Sequence, residues 1–219
     1  MTGAARRGAE ALARLDDTTR LLRRECPWDR EQDERSIVPH TIEEAYEVAG
    51  AALAGDDEGL LDELGDLLFQ VFFLSLLLEE RGAGDLAAVA DGCREKLVRR
   101  HPHVFGEVSV SDADDVRRNW DEIKRGEAGR DASLFGDIPD ALPGPLYAAK
   151  ALRRANDARA PDVRAAVEAL DGSFDAVGDL LLAAVAAARE RGVDPELSLR
   201  SAADRYRRRI EQEVGSRRE

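Results

Sequence analysis

The spacing of hydrophobic and polar residues predicts helices along the whole chain. Apolar residues recur three and four positions apart in almost every segment, whereas the alternation typical of β-strands is scarce. The first helix carries Leu12, Leu15 and Leu22 on one face. It should end before Cys26, because Pro27 disfavours helical geometry in the residue that precedes it, and a loop is expected next. The fold class predicted is therefore all-α.

Four further helices are predicted before residue 130. Thr41 is the expected N-cap of the second helix, with Glu44 as its capping-box partner. The third helix, about Leu60 to Glu80, is apolar nearly all round, which is typical of the buried centre of a helical bundle. Two shorter helices should follow, over Leu86 to Arg100 and over Asp114 to Lys124.

Composition and charge exclude several classes of protein. Cys26 and Cys93 do not form a close pair, so neither a disulfide framework nor a Cys-rich zinc site is indicated, which fits the cytoplasm. The most apolar stretch, Leu60 to Leu78, is interrupted by charged residues, and no signal-peptide core follows the first residues, so no membrane partner is expected. The net charge of −13 argues against a nucleic-acid polymer as partner. An acidic protein can still bind an anion when a cation bridges the two.

Four carboxylates have the spacing of a metal site. Glu44 and Glu47 are three residues apart on one predicted helix, as are Glu63 and Asp66 on the next, so each pair projects from a single face. Gln70 extends the second stripe by one turn. If the pairs face each other they form a cage of hard oxygen ligands, which favours Mg²⁺ or Mn²⁺ over zinc.

The alternative is that these acids pair with arginines. Such pairing is ordinary for Glu44 and Glu47 on an exposed helix. It is less expected for Glu63 and Asp66, because a carboxylate buried in an apolar helix is costly unless a cation lies beside it. A ferritin-like di-iron site would need Glu-x-x-His pairs, which the three histidines do not supply. Spacing alone thus indicates a metal site and no particular reaction.

The residues around these acids resemble a known family. E-E-A-Y-E at residues 43–47 and E-L-G-D at 63–66 are similar to the E-x-x-E and E-x-x-D signature of the all-α nucleoside triphosphate pyrophosphohydrolases. The closer match is the MazG family, through C-P-W-D-R-E-Q at 26–32, K-L-V-R-R-H-P-H-V-F-G at 96–106 and N-W-D-E-I-K at 119–124. The resemblance implies a MazG-like helical bundle that forms a homodimer. It also implies Mg²⁺-dependent hydrolysis of a nucleoside triphosphate, (d)NTP, to (d)NMP and pyrophosphate, with Mn²⁺ as the substitute ion.

The resemblance assigns roles to individual residues. Glu44, Glu47, Glu63 and Asp66 are expected to bind metal, and with Glu43 they form the expected catalytic set. Glu43 would orient or deprotonate the attacking water, unless it is a solvated acid stabilised by the helix dipole. Basic side chains near helix ends would bind phosphate and tryptophans would contact the base, the alternatives being charge compensation at a helix end and core packing. These expected substrate-binding residues are Trp28, Lys96, Arg99, Arg100, Trp120 and Lys124.

Pro and Gly residues between Phe135 and Pro145 predict a domain boundary. We expect a catalytic MazG-like domain at residues 1–130, a linker at 131–145 and a further helical segment at 146–219. In that segment G-D-L-L at 178–181 repeats the same letters at 65–68, and E-R-G at 190–192 repeats 80–82. The alignment puts Ala176 where Glu63 stands, so this copy is expected to be degenerate or dimerising and not to hold metal.

The residues leave two functions open. One is the pyrophosphohydrolase, acting in nucleotide-pool housekeeping or the stress response. The other is a catalytically silent helical scaffold or sensor that binds a nucleotide. Base and sugar preference, and the choice between normal and damaged nucleotides, depend on pocket shape.

Overall fold

The computed structural model describes residues 2–127, 135, 138–155, 157 and 160–215, and every regular element among them is an α-helix. The predicted all-α class is confirmed. The chain forms two compact units, Met1–Trp120 and Asp121–Glu219, which are described separately. Of the helices that the structure describes, none is long and apolar enough to cross a bilayer.

The first unit is built from consecutive helices. They are α1 (Gly3–Glu25), α2 (Pro27–Glu31), α3 (Glu34–Ala54), α4 (Asp57–Glu80), α5 (Leu86–Arg100) and α6 (Pro102–Phe105), and α7 (Ala113–Arg125) begins in this unit.

A short helix replaces the loop expected after α1. The first helix ends at Glu25, as predicted, with Cys26 in extended geometry as its C-cap. Pro27 then occupies the first position of α2. Proline is favoured there, because its fixed φ suits a helix and its missing N–H would have had no helical partner.

Helix α3 begins earlier than its sequence pattern indicated. The Asp33 carboxylate accepts a hydrogen bond from the Ser36 N–H (2.8 Å), and the Ser36 hydroxyl accepts one from the Asp33 N–H (2.9 Å). This reciprocal cap starts the helix at Glu34, and the chain continues through Pro39, which removes a single backbone donor. Thr41 lies inside the helix, where its hydroxyl donates to the Ile37 carbonyl (3.3 Å). The predicted start at Thr41 is therefore wrong.

Helices α3 and α4 form a tight helical hairpin. Gly55 ends α3 in the left-handed conformation (φ 67°), and Asp56 caps α4 by accepting from the Gly59 N–H (3.0 Å). With only these two residues between them, the helices run antiparallel. Their shared core contains Ile37, Phe73 and Leu77. The short connection fixes the register of the hairpin, that is, which residues of α3 lie opposite which residues of α4.

The apolar surface of α4 is covered along only part of its length. Its carboxyl-terminal half is buried, as expected for the centre of a bundle. An apolar stripe that begins in its amino-terminal half and extends to Val71 remains exposed, and we call it the α4 stripe: Leu61, Leu64, Leu68 and Val71. An all-round apolar pattern indicates that each face of a helix is covered in the working protein, and it does not reveal whether the cover belongs to the same chain. The expectation of complete burial is thus wrong for this half.

Two bidentate ion pairs hold α1 against the end of α4. The Arg20 guanidinium donates to the Glu79 carboxylate (3.0 and 2.6 Å), and that of Arg23 donates to Glu80 (2.8 and 2.8 Å). Hydrogen bonds from these arginines hold the pKa values of Glu79 and Glu80 below the ordinary value for glutamate. Because each guanidinium makes two hydrogen bonds to one carboxylate, these pairs fix the relative orientation of the two side chains as well as their distance.

The second unit contains a smaller apolar core. Its remaining helices are α8 (Gly144–Arg154), α9 (Val163–Glu168), α10 (Phe174–Glu190) and α11 (Pro195–Gly215). Ala149 and Leu152 of α8 pack against Val185 and Ala186 of α10. Asp194 caps α11 by accepting from the Leu197 N–H (2.9 Å).

The repeated Glu-Arg-Gly segments have the same local structure. Gly82 follows α4 and Gly192 follows α10, each with φ 68°. In both turns the residue after the glycine bonds back into the helix, from the Ala83 N–H to the Leu78 carbonyl (2.9 Å) and from the Val193 N–H to the Ala188 carbonyl (3.0 Å). Only glycine adopts this backbone geometry without strain, which explains why it recurs at both helix ends.

Candidate metal centre

Three carboxylates from the α3–α4 hairpin meet at one point. Glu44 of α3 and Glu63 and Asp66 of α4 each offer an oxygen atom within 4.8 Å of the others. Glu63 and Asp66 lie one turn apart on the same face of α4, and the hairpin register brings Glu44 opposite them. We refer to Glu44, Glu63 and Asp66 as the acidic cluster.

Glu47 lies beside the acidic cluster. Its carboxylate is exposed and lies close enough to Glu44 and Glu63 to accept a hydrogen bond from the protonated form of either. Its oxygen is not within the common 4.8 Å group, so it borders the three carboxylates instead of completing an equal set of four. The structure thus brings together all four acids that the spacing singled out, with Glu47 at the edge.

The proximity of these acids changes their protonation. Partial loss of solvation raises the pKa of Glu44 above the ordinary value for glutamate, and the hydrogen bond that its protonated carboxyl donates to Glu47 and the charge of Asp66 raise it further. The pKa of Glu63 is also raised, by loss of solvation and then by the negative charges of Glu47, Asp62 and Asp66. Like charges held this close disfavour ionisation, and a bound cation would relieve their repulsion.

The burial expected for these acids is only partly present. Glu44 and Glu63 are half-buried and Asp66 is exposed, because the amino-terminal half of α4 faces solvent. These charges therefore cost less than full burial in an apolar helix would impose. The stronger observation is their mutual distance.

The donor set suits a hard divalent cation. All three converging groups are carboxylates, and oxygen-only ligands favour Mg²⁺ or Mn²⁺. Mg²⁺ commonly binds through a few carboxylates while keeping waters and accepting substrate phosphates as further ligands. The exposed side of the acidic cluster leaves room for both.

Gln70 lies one helical turn beyond Asp66. Its side chain is 6% exposed, and its amide oxygen has no hydrogen-bond partner in the structure. The periodicity of α4 placed Gln70 on the carboxylate stripe, but nothing in the sequence indicated that its amide would be buried without a partner.

Glu43 points to a different neighbour from the other glutamates of α3. It is exposed, and its carboxylate oxygen lies 3.8 Å from Nδ1 of His40. His40 in turn meets the edge of the Trp28 ring, with centroids 6.0 Å apart. Trp28 is 51% exposed, so part of its ring surface is open to a ligand.

The basic residues expected to bind phosphate lie at the end of α5. Lys96 and Arg99 are exposed and Arg100 is half-buried. Helix α5 packs against α4, the helix that carries two members of the acidic cluster. Positive charge in the last turn also interacts favourably with the helix dipole, so this position suits both phosphate binding and charge compensation at the helix end.

Trp120 of α7 is packed between side chains from the end of α5. The Arg100 guanidinium lies 5.3 Å from the Trp120 ring centroid, and the His101 ring meets it edge-on at 4.9 Å. His101 also contacts the Leu97 carbonyl through Nδ1 (2.6 Å), which fixes its ring. Trp120 and Lys124 are both half-buried. Trp120 is therefore partly a packing residue, while Trp28 is more open.

The corresponding helix of the second unit lacks one of the acids. Helix α10 carries Asp179 at the place of Asp66 but Ala176 at the place of Glu63. In the part of the chain that the structure describes, the acidic cluster is the one group of three residues with metal-ligand spacing.

Comparison with known proteins identifies relatives over most of the chain. Residues 32–105 match the family model described as the MazG nucleotide pyrophosphohydrolase domain, and this range contains the whole acidic cluster. A nucleoside triphosphate pyrophosphohydrolase of Escherichia coli (strain K12) is 35% identical over 207 residues, which cover 84% of this chain and 79% of that protein. A protein of Thermotoga maritima named nucleoside triphosphate pyrophosphohydrolase/pyrophosphatase MazG is 34% identical over 197 residues, covering 83% and 76%. A nucleoside triphosphate pyrophosphohydrolase of Mycobacterium tuberculosis is 33% identical over 154 residues, covering 69% and 46%.

Proposed function

Because the chain belongs to the MazG family, we propose that it hydrolyses a nucleoside triphosphate, (d)NTP, to (d)NMP and pyrophosphate. The observation that carries this proposal is the meeting of Glu44, Glu63 and Asp66 inside the range that matches the family model. We further propose a role in nucleotide-pool housekeeping or the stress response.

The acidic cluster is proposed to hold Mg²⁺, with Mn²⁺ as a substitute, and Glu47 is proposed as the fourth ligand. When bound, such an ion neutralises phosphate charge and lowers the pKa of a coordinated water. The chain's contribution is to fix three carboxylates at one point before substrate arrives, so that little reorganisation is needed on binding. The raised pKa values of Glu44 and Glu63 support this role, because they reflect loss of solvation and then repulsion between like charges, and a cation would offset both.

Glu43 is proposed to accept the proton of the attacking water. It belongs to the same helix as Glu44 and lies on the adjoining surface, close to His40. Exposure keeps its carboxylate available to water. A general base must come within hydrogen-bond reach of the proton that it removes, so the bound substrate would have to place the attacking water beside Glu43.

The remaining expected residues are proposed to bind the nucleotide. Lys96, Arg99 and Arg100 would bind phosphate oxygens not covered by the ion. Trp28 would contact the base through its open ring surface. Trp120 and Lys124 would supply a second stacking surface and charge.

A homodimer is the proposed assembly. The α4 stripe and Ile42 and Leu53 of α3 are large apolar side chains that remain exposed. Apolar surface of this kind commonly marks an interface. The further segment at 146–219 is proposed to have a structural or dimerising role, separate from the catalytic domain at 1–130 and its linker at 131–145.

The decisive experiment replaces one ligand carboxylate by its neutral isostere. Glu63→Gln should lower Mg²⁺-dependent pyrophosphate release at least ~100-fold, because a coordinating oxygen is weakened while the side-chain volume is kept. Glu58→Gln is the matched control, since Glu58 is an exposed acid in the first turn of the same helix. Wild-type activity in folded Glu63→Gln would contradict the proposal. Tight binding of Mg-nucleotide by the wild type without release of pyrophosphate would favour a sensor or scaffold instead.

A further inference from the structure

The amide of Gln70 is buried, and its oxygen has no hydrogen-bond partner among the residues that the structure describes. The side chain is 6% exposed, and Oε1 is fully enclosed. A buried polar atom left unpaired destabilises the folded protein, so such atoms are uncommon unless a ligand or a water completes them.

The position of Gln70 directs its amide toward the acidic cluster. Side chains of an α-helix lean toward the helix amino terminus, so the Gln70 side chain covers the preceding turn of α4. That turn carries Asp66, and Glu63 lies on the same stripe one turn further. Helical spacing therefore places the buried Gln70 side chain one turn from Asp66, on the stripe of α4 that carries the acidic cluster.

The neighbouring helix does not supply the missing donor. Glu44 meets Asp66 and Ile37 packs with Phe73, and this register puts the exposed His40 and the half-buried Thr41 of α3 at the level of Gln70. The Thr41 hydroxyl already donates to the Ile37 carbonyl. A water held between the amide and the carboxylates would supply a donor, and the carboxylates would give that water its other partners.

We infer that Gln70 is a positioning residue whose amide oxygen accepts a hydrogen bond from a water in the ligand set of the ion at the acidic cluster. This inference rests on the proposed metal site. It explains why a polar side chain occupies the buried half of the apolar helix α4. Groups that hold the ligands of a metal in place commonly affect its affinity ~10–100-fold.

The test measures Mn²⁺ binding by electron paramagnetic resonance in the absence of nucleotide. Gln70→Met keeps a similar volume but has no comparable acceptor, and it should weaken Mn²⁺ binding ~10-fold. Gln70→Glu keeps an oxygen acceptor and should bind Mn²⁺ at least as tightly as the wild type. Ser75→Ala is the matched control, because Ser75 is buried on the same helix and its hydroxyl bonds to the Val71 carbonyl (2.7 Å). It should leave the affinity for Mn²⁺ unchanged.

Thermal unfolding of the metal-free protein provides the second readout. Gln70→Met should unfold at the same temperature as the wild type or higher, since it removes an unpaired buried group. A lower unfolding temperature, or failure to fold, would show that the protein itself satisfies the amide and would overturn the inference. Equal Mn²⁺ affinity in Gln70→Met and wild type would overturn it while leaving the metal site intact. Absence of Mn²⁺ binding by the wild type would overturn the metal site as well.

Discussion

Phe73 is the side chain whose removal should most directly loosen α3 from α4. It is 0% exposed and packs with Ile37 and Leu77 in the core of the hairpin. The Phe69 ring lies 5.8 Å away at 58°, and the Arg23 guanidinium lies 5.8 Å from the Phe73 ring centroid. Phe73→Ala removes all of these contacts at once.

The expected loss is large because the site is fully enclosed. Truncating a buried phenylalanine to alanine costs ~3–5 kcal/mol, from lost burial and from the cavity that remains. The aromatic pair with Phe69 supplies ~0.5–1.5 kcal/mol of such a loss. With a denaturant slope of ~2 kcal/mol per molar urea, the unfolding midpoint should fall by ~2 M.

Tryptophan fluorescence during urea unfolding measures this change. Trp28 and Trp120 are the two tryptophans of the chain and both belong to the first unit, so the signal reports the unit that contains Phe73. Phe105→Ala is the matched control, because Phe105 is 62% exposed and its truncation should cost no more than ~0.5–1 kcal/mol. A midpoint for Phe73→Ala equal to that of Phe105→Ala would refute the view that Phe73 holds the hairpin together. Phe73→Leu should fall between the two and remain folded for measurement of Mn²⁺ affinity.

Two further predictions follow from charged groups. The pKa values of Glu44 and Glu63 are raised, so these two groups bind more protons in the folded metal-free protein than in the unfolded chain, and their contribution to stability is lost as pH rises from 4.5 through their folded pKa values. Metal-free Glu63→Gln should therefore unfold at a higher temperature than the wild type, and the difference in unfolding temperature should grow from pH 4.5 to 7. With saturating Mg²⁺ the wild type should become the more stable of the two. A difference that does not depend on pH would contradict this reasoning. In the second unit, hydrogen bonds from Arg189 (3.0 and 3.0 Å) hold the pKa of Asp157 below its ordinary value, so their stabilisation is lost as pH falls through the folded pKa. Asp157→Asn should cost up to ~1 kcal/mol of stability near pH 7 and little in acid. Asp157→Ala should cost more at both pH values, because φ of residue 157 is 53° and asparagine tolerates this conformation better than alanine. Hydrogen exchange of the α10 amides measures the difference in stability, and equal protection in the two variants would argue against this role of the backbone conformation.

Local signals accounted for most helix positions. Helix α5 spans Leu86–Arg100 as its periodicity indicated, and α1 ends at Glu25, before Pro27, as expected. The start of α3 was missed because its cap uses Asp33 and Ser36, and a serine at the third position is not the usual capping-box acid or amide. Side-chain hydrogen bonding within a turn thus decided a boundary that periodicity could not.

Long-range features of the site were less accessible. The spacing of Glu63 and Asp66 predicted that they share a face, but their distance from Glu44 depends on the register of the hairpin. Exposure of the α4 stripe could not be predicted, since an apolar residue in a sequence does not identify what covers it. The unpaired amide of Gln70 depends on where neighbouring donors are already used, which is a property of the assembled structure.

The short connection between α3 and α4 also bears on the order in which the chain folds. The acidic cluster is drawn from residues 44–66, and its two helices are neighbours in sequence, so its contacts have low contact order. During synthesis the hairpin is complete before any residue of the second unit has been made. Charge repulsion among the carboxylates therefore acts on the nascent chain at this early stage. A divalent cation that binds the hairpin would stabilise the folded form while the rest of the protein is still being translated.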